Sequence, residues 1–365
     1  MKRFSSYLSA VLAVLFLVVN VMPASAATSS SSSTSAVGGS SGLSITPKKN
    51  YIIKPGQTVK DTLIIGNLDT EHDLTVNLKM IDFTYTDQSG TPKLSIAANA
   101  PQMPWSLKPF TTLPKNVDVA AGQTKTVSYS ITMPKNQGAG SYYSAIMYQS
   151  TGSNGGNVAL NASGVTLAFV SVPGTVKENM TLQKFGAYNS SNNGTTGSFV
   201  FIDMNQQPQM IAYTVKNEGN VFESPAGNIV LKDMFGHTVA NMTTNPNSSL
   251  ALLGQARLYA TCIKTVQQKI QVEGGTSKNT SCTNPGLKPG KYTASLDVFY
   301  GQNGNQTHEI TQVATFWYLP IWFLVLVAII LIALIGGGYW GYRKIQAAVK
   351  GNTYKAGLGI SRHKR

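Results

Sequence analysis

Short runs in which every second residue is apolar recur along most of this chain, and they restrict its fold more than any other feature. Two examples are "LTVNLKM", residues 74–80, and "TVSYSITM", residues 126–133. Period-two runs of this kind are typical of β-strands with one buried face. Gly, Pro and Asn punctuate the runs, and no amphipathic helix of useful length interrupts them. The sequence therefore predicts an all-β fold built from antiparallel sheet.

The length of the alternating region predicts two domains. Residues 43–316 are too many for one small sandwich. Turn signals recur at the spacing expected of an immunoglobulin-like sandwich of about seven strands. We therefore predict two tandem immunoglobulin-like β-sandwiches, residues 43–174 and 175–316. Similar phrases in the two, "QGAGSYYSAIMYQ" and "LKPGKYTASLDVFY", fit either a duplication or two unrelated all-β modules.

The N-terminus has the three-part layout of a secretory signal peptide. Lys2 and Arg3 precede an apolar run, residues 8–21, and small residues lead up to Ala26. Residues 1–26 are therefore predicted to be cleaved on export, with an uncleaved anchor helix as the alternative. The next stretch, residues 27–42, is rich in Ser, Thr and Gly and predicts a flexible leader.

A second apolar run, residues 319–340, contains no charged residue and is long enough to cross a bilayer. We predict one transmembrane helix, residues 317–342, and a basic tail, residues 343–365. The tail begins with Arg343 and Lys344, a stop-transfer pattern that predicts a cytoplasmic tail and extracellular sandwiches. The aromatic residues predicted to lie at the two membrane interfaces are Trp317, Tyr318, Trp322, Tyr339, Trp340 and Tyr342.

The net charge of +14 would suggest a nucleic-acid or acidic-membrane partner for a soluble protein. Its distribution argues against nucleic acid. Residues 43–316 hold 20 basic and 15 acidic side chains, a net +5, whereas the tail carries +7 with no acid. We therefore expect the basic tail to set topology and to contact anionic lipid, and we expect no nucleic-acid partner.

The middle of the chain offers few residues for catalysis or metal binding. His72, His237 and His308 are far apart and lack the spacing of metal ligands. Glu218, Asp233 and His237 fall at strand ends and turns, where such residues serve the backbone. A calcium site joining the turns at Glu218 and Asp233 is the alternative. We expect no metal, no cofactor, no small-molecule substrate and no enzymatic activity, with a hydrolase built from dispersed carboxylates as the alternative.

Cys262 and Cys282 are the only cysteines of the sequence. An even pair in a region predicted to be exported indicates a disulfide, which would close residues 262–282 into a loop. Two reduced thiols are the alternative.

Several stretches together resemble the WxL-interacting proteins, a family of Gram-positive surface proteins. They are "ITPKKNYIIKPGQTVKDTLIIGN", "ITMPKNQGAGSYYSAIMYQ", "YTVKNEGNVFESPAGNIVLKDMFGHTV" and "LKPGKYTASLDVFYG". The order of signal peptide, two sandwiches, one span and a basic tail is similar as well. The resemblance implies a first sandwich that binds peptidoglycan and a second that binds host or partner proteins. The long leader and the insertion "CIKTVQQKIQVEGGTSKNTSC" depart from the family pattern.

These observations predict a membrane-anchored, non-catalytic surface protein that binds cell-wall peptidoglycan or a surface protein. The alternative is an assembly adaptor or chaperone-like component for other exported proteins. Trp105 and Phe110, in a Pro-rich stretch, are the candidate ligand-binding residues, because aromatic side chains in a loop can stack on sugars or anchor a partner. Alternatively, the two rings plug one end of the first sandwich's core.

Overall fold

The computed structural model describes residues 43–46, 48–97, 99–151, 163–191, 196–272, 275–301 and 307–356. The predicted signal peptide, residues 1–26, and the predicted leader, residues 27–42, lie outside the described residues. The described chain is mostly strand, followed by a C-terminal helix. The predicted all-β fold with two tandem sandwiches is therefore confirmed.

The first sandwich packs a four-stranded sheet, in the order β1-β3-β9-β7, against a five-stranded sheet, β2-β11-β10-β4-β8. A small hairpin, β5-β6, stands beside them. A 3-10 helix, Lys108–Phe110, precedes β7. The strands are β1 (Leu43–Ile45), β2 (Lys48–Ile52), β3 (Thr58–Asn67), β4 (Leu74–Ile81), β5 (Phe83–Tyr85), β6 (Pro92–Leu94), β7 (Thr111–Thr112), β8 (Asn116–Val119), β9 (Thr124–Thr132), β10 (Gly140–Thr151) and β11 (Ser163–Val172).

The second sandwich has the same division into four and five strands, with sheets β13-β12-β15-β18 and β14-β22-β21-β16-β17. A separate hairpin, β19-β20, is formed by the insertion. The strands are β12 (Met180–Ser190), β13 (Thr196–Val200), β14 (Ile202–Asp203), β15 (Met210–Asn217), β16 (Ala226–Lys232), β17 (Thr238–Thr244), β18 (Ala256–Cys262), β19 (Thr265–Val272), β20 (Gly275–Cys282), β21 (Gly290–Tyr300) and β22 (His308–Tyr318).

The five-stranded sheets share one unusual feature. Each ends in a short strand that runs parallel to its neighbour: β2 beside β11 in the first sandwich, and β14 beside β22 in the second. All other pairs in these two sheets are antiparallel. Both sandwiches therefore cover the last strand of the domain with a segment from near its beginning.

The alternating patterns bury the side chains that the sequence predicts. In β4, Val76 and Leu78 are buried, and in β9, Tyr129 and Ile131 are buried. These residues join one apolar core between the sheets of the first sandwich. A second core lies between the sheets of the other sandwich. Each sandwich therefore has an apolar interior of its own.

The C-terminal helix, α1 (Ile321–Ala356), follows the last strand. Its segment Ile321–Ala347 is long and apolar enough to cross a membrane. The helix begins at Ile321 rather than at the predicted residue 317, because β22 continues the alternation to Tyr318 and Pro320 then opens the first turn. It also extends beyond the predicted end at residue 342 and continues to Ala356. The first residues of this extension, "RKIQAA", are mostly good helix formers.

The predicted disulfide is present and lies at the base of the inserted hairpin. Cys262 ends β18, Cys282 ends β20, and the two are bonded across a sequence separation of 20. Both cysteines pack against the outer face of the sheet, beside Tyr188 and Met210. The bond therefore fixes the insertion to the second sandwich.

Candidate functional site

A cluster of apolar side chains packs between the two sandwiches. Phe83, Tyr143 and Phe169 come from the first sandwich, and Leu252 and Phe222 come from loops of the second. The rings of Phe169 and Phe222 meet edge to face, with their centroids 5.7 Å apart. Apolar contact of this kind opposes independent motion of the two domains. The cluster therefore joins the two sandwiches through apolar packing.

Hydrogen bonds between the two sandwiches fix how their surfaces are aligned. The Ser141 amide donates to the Asn220 carbonyl at 2.9 Å, and the Phe222 amide donates to Ser141 Oγ at 3.0 Å. Further along, the Tyr85 amide donates to Gln255 Oε1 at 2.9 Å. Because main-chain donors are used on both sides, the contact depends on backbone position as well as on side-chain packing.

Arg257 lies at the edge of the apolar cluster, between two aromatic rings. Its guanidinium is 4.7 Å from the ring centre of Tyr85 and 5.6 Å from that of Tyr259. Nη1 donates to the Leu250 carbonyl at 2.9 Å. Among the described residues, the buried Nε atom has no hydrogen-bond acceptor. The side chain is thus held by stacking and one carbonyl, with donor capacity to spare.

The turn of the β5-β6 hairpin covers one side of this guanidinium. Gly90 has φ +91°, and a Cβ there would lie 2.2 Å from Nη1 of Arg257. Asp87 Oδ1 accepts the Gly90 amide at 3.0 Å, which shapes the turn. The Gln88 carbonyl accepts the Leu258 amide at 2.5 Å, which fixes the turn to the second sandwich. Only glycine combines this backbone conformation with so close an approach.

A second cation faces the same place. The Lys48 ammonium lies 5.1 Å from the ring centre of Phe169. The pKa of Lys48 is lowered, chiefly because the amine is partly shielded from water and also because the Arg257 charge repels it. No ion pair found in the described part of the chain includes Lys48 or Arg257. We call the depression lined by Lys48, Tyr85, Phe169, Leu250 and Arg257 the basic groove.

The basic groove adjoins an open sheet edge. β2 is the last strand of its sheet, so its outer edge pairs with no other described strand. Lys49 and Tyr51 turn toward β3, where both hydrogen-bond to Asp61 Oδ2, at 3.0 and 2.6 Å. Lys48 and Ile52 lie on the opposite face of the strand, and Ile52 is 78% exposed. The strand is therefore anchored from one face and available from its edge and its other face.

Trp105 and Phe110, the predicted ligand-binding residues, both pack against the protein. The ring of Trp105 stacks on that of Tyr143, with the ring centroids 5.4 Å apart, beside the cluster between the sandwiches. The main-chain carbonyl of Trp105 accepts a hydrogen bond from the Tyr143 amide. Phe110 meets Tyr142 edge to face at 6.3 Å at the edge of the first core. Both are half-buried. Their part in ligand binding stays a prediction.

The acidic turns named in the sequence are satisfied locally. Glu218 pairs with Lys216 at 3.2 Å. Asp233 accepts the Phe235 and His237 amides, each at 2.9 Å, and its second oxygen is 3.2 Å from His237 Nδ1. Within the described ranges, no group of three acidic, His or Cys side chains is arranged to hold a metal ion.

Glu223 differs from these turn acids, because it is only 2% exposed. Its Oε2 accepts the Gly301 amide at 3.1 Å, while Oε1 has no hydrogen-bond partner among the described residues. Burial, with the nearby Glu178 charge as a second cause, raises the pKa of Glu223 to about 8. Glu178 itself lies 3.3 Å from His308. Glu223 is therefore mostly protonated near neutral pH.

The predicted membrane-interface residues divide into two groups. Trp317 and Tyr318 are in β22, and Tyr318 is buried in the second core rather than placed on the helix, because it continues the inward alternation of that strand. The others are exposed on α1: Trp322, Tyr339, Trp340 and Tyr342. On the same helix, Arg343 lies over the ring of Tyr339 at 5.7 Å and Lys344 over that of Trp340 at 3.9 Å.

The basic groove was not predicted from the sequence, although the sequence contains one signal of it. Arg257 is the only arginine between Arg3 and Arg343; the other 19 basic residues of the middle region are lysines. Arginine binds carboxylates in a planar, two-pronged manner and stacks on aromatic rings in ways that lysine does not reproduce. A single arginine within the predominantly apolar strand sequence "QARLYATC" is therefore a signal of a binding position.

The fold and the groove together define a two-sandwich protein with a C-terminal apolar helix and a cationic site between its domains. The chain matches no protein-family model and no curated protein. The resemblance to WxL-interacting proteins therefore stays a prediction.

Similar solved structures include several fimbrial chaperones. A class 5 fimbriae chaperone, CfaA, is 10% identical, with a TM-score of 0.33, covering 74% of this chain and 98% of that chain. The Escherichia coli chaperone DraB is 13% identical, with a TM-score of 0.31, covering 67% and 99%. A structure of the Salmonella enterica SafA pilin in complex with the SafB chaperone is 8% identical, with a TM-score of 0.33, covering 74% of this chain and 96% of that chain. At such low identity and TM-score, the likeness concerns the sandwich fold alone and assigns no partner.

Proposed function

We propose that this chain is a membrane-anchored, non-catalytic adaptor that binds other exported proteins. It captures an extended, carboxylate-bearing segment of the partner in the basic groove. This corresponds to the adaptor or chaperone-like alternative drawn from the sequence.

The observation that carries the proposal is the pair of cations in the groove. Lys48 and Arg257 repel each other, and both lie beside aromatic rings, where solvation is reduced. Two like charges held near each other with no acidic partner favour the binding of an anion between them. A carboxylate bound between them would relieve the repulsion and accept a charged hydrogen bond from the Lys48 ammonium.

The open edge of β2 makes an extended polypeptide the best occupant. A segment running along β2 would pair with its free main-chain groups, and alternate side chains would contact Ile52. The carboxylate then fixes the register of this added strand. A small-molecule anion would use the cations but leave the edge and Ile52 in water. Phe110 and Trp105 are proposed only as supporting contacts, because both rings already pack against the protein.

The proposed location follows from the helix and the charges. α1 spans the cell membrane, the basic tail after Arg343 lies in the cytoplasm, and both sandwiches lie outside. The Cys262–Cys282 disulfide supports an exported location, since such bonds persist in oxidising compartments. The helix would thus keep the groove close to the site where partners emerge from the membrane.

The test is site-specific crosslinking in the living cell. The full chain carries a photo-reactive phenylalanine in place of Ile52, and crosslinked segments are identified by mass spectrometry. Lys48→Gln should weaken capture about tenfold or more, because a charged hydrogen bond contributes roughly 1.5–3 kcal/mol. Lys54→Gln is the matched control, because Lys54 is an exposed lysine of the same domain outside the groove.

A synthetic peptide of the captured segment then tests the chemistry. It should compete when its carboxylate is free and fail when that carboxylate is an amide. Equal capture by the Lys48→Gln and Lys54→Gln chains would contradict the proposal. Sedimentation of the full chain with purified peptidoglycan, unaffected by either substitution, would favour the wall-binding prediction instead.

A further inference from the structure

The end of the second sandwich from which α1 leaves is tied to the first turn of the helix. The Leu319 amide donates to the Asp203 carbonyl at 2.9 Å, and the Ile321 amide donates to the Met204 carbonyl at 3.3 Å. Residues 201–204 therefore run alongside the chain as it enters α1. Neighbouring strands lie about 4.8 Å apart, so this segment is at the same level as the start of the helix.

A second turn lies at the same end. β21 begins at Gly290, opposite Tyr318 at the end of β22. A Cβ on Gly290 would lie 3.1 Å from Sδ of Met234, so the turn of residues 233–237 is in contact with the start of β21. We call residues 201–204, the turn 233–237 and the start of α1 the helix-side end.

The helix-side end exposes apolar side chains that no described residue covers. Phe235 is 77% exposed and Phe201 is 59% exposed. Met204, Met234 and, on the first turn of α1, Trp322 are exposed as well. Large apolar side chains left exposed at one end of a domain are unfavourable in water, and a group of them is typical of a contact with another apolar phase.

The charges at this end favour an anionic surface. Lys232, Lys288 and Lys291 are exposed, and none of them forms an ion pair with a described residue. The two acids nearby, Asp203 and Asp233, accept amides of their own turns. Aromatic, methionine and lysine side chains at one end of a domain are the combination found at lipid headgroups.

We propose that the helix-side end is a lipid-contacting surface. Phe201, Met204, Met234 and Phe235 enter the headgroup layer of the membrane that α1 spans, and the lysines contact anionic headgroups. The inference rests on the proposed membrane anchoring. The headgroup layer is roughly 5–7 Å deep on each side of a bilayer, which is the reach of one phenylalanine side chain. The contact would hold the second sandwich against the bilayer and fix the direction in which the basic groove faces.

The experiment uses the full chain reconstituted in vesicles of phosphatidylcholine and phosphatidylglycerol. Single substitutions Phe235→Cys, Ile52→Cys and Ile332→Cys carry an environment-sensitive dye, and spin-labelled lipids quench dyes that touch the bilayer. The native cysteines are disulfide-bonded and stay unlabelled. Ile332 reports on the span and Ile52, on the exposed edge of the first sandwich, reports on water.

The dye at Phe235→Cys should be quenched several-fold more than the dye at Ile52→Cys, and less when phosphatidylglycerol is omitted. Quenching at Ile332→Cys with none at Phe235→Cys would overturn the inference while leaving the anchor intact. A dye at Phe235→Cys that is shielded from water but not quenched by lipid would also overturn it, since a protein would then cover the surface. Absence of quenching at Ile332→Cys would overturn the anchoring and the inference together.

Discussion

Two ionisable side chains of the second sandwich lie in surroundings that disfavour a charge, and they respond differently. Arg257 cannot lose its proton, so stacking on Tyr85 and Tyr259 and a carbonyl partner stabilise the cation. Glu223 can take up a proton, and burial drives it to do so. A permanent charge at the groove and a titrating one beside Gly301 follow from the chemistry of each group.

The raised pKa of Glu223 predicts that the protein becomes less stable as pH rises. Between the unfolded value near 4.5 and the folded value of about 8, the unfolded chain has lost this proton and the folded chain keeps it. Stability therefore falls through that window, by up to about 1.4 kcal/mol per pH unit, and the loss is complete above pH 8. Glu223→Gln should raise the unfolding midpoint by several degrees at pH 8.5 and leave it unchanged at pH 4.5.

Glu309→Gln is the control for this measurement, because Glu309 is an exposed acid on β22. The contradicting outcome is that the thermal midpoints of the Glu223→Gln and Glu309→Gln chains depend on pH in the same way. Glu223 would then be ionised in the folded state.

At the scale of single elements, alternation predicted strands well where pairing is regular and failed where it is not. β4 and β9 bury the residues expected of them. Alternation does not predict β12, because a register shift between Leu182 and Lys184 breaks its period of two. The end of β22 was assigned to the membrane interface, because Trp317 and Tyr318 directly precede the apolar run and aromatic residues commonly flank a span. The same aromatic residues also fit the end of a buried strand, and sequence alone does not distinguish the two.

The β5-β6 hairpin gives an element-scale prediction that separates backbone strain from contact with the groove. Gly90→Ala and Gly236→Ala both place alanine at a positive φ, +91° and +86°. Nothing lies within 4 Å of a Cβ at Gly236, whereas at Gly90 it would meet Arg257. Each substitution should cost about 1 kcal/mol of unfolding free energy from strain. Only Gly90→Ala should also reduce crosslinking from Ile52.

Thermal unfolding and the crosslinking yield from Ile52 measure these two effects. Equal crosslinking from the Gly90→Ala and Gly236→Ala chains would mean that the hairpin turn does not position Arg257 for binding.

At the scale of the whole molecule, the sandwiches could be predicted from the sequence but the groove between them could not. Lys48 and Arg257 stand in different domains, and nothing local in either strand records the other's position. Their approach depends on the cluster around Phe169 and Phe222, whose members look like ordinary core residues. Packing between domains is a property of two surfaces, which periodicity within one strand does not encode.

Because the two sandwiches share that cluster, we expect them to unfold together and expect Phe222→Ala to uncouple them. The wild-type chain should melt in one transition. Phe222→Ala removes the ring that meets Phe169 and should cost up to about 3 kcal/mol, giving two calorimetric transitions and a wider range of distances between labels on the two domains. Phe235→Ala, which deletes an exposed phenyl ring, should keep the single transition. If the wild-type chain already melts in two steps, the sandwiches are independent, and the spacing of Lys48 and Arg257 must then be set by the bound partner rather than by the fold.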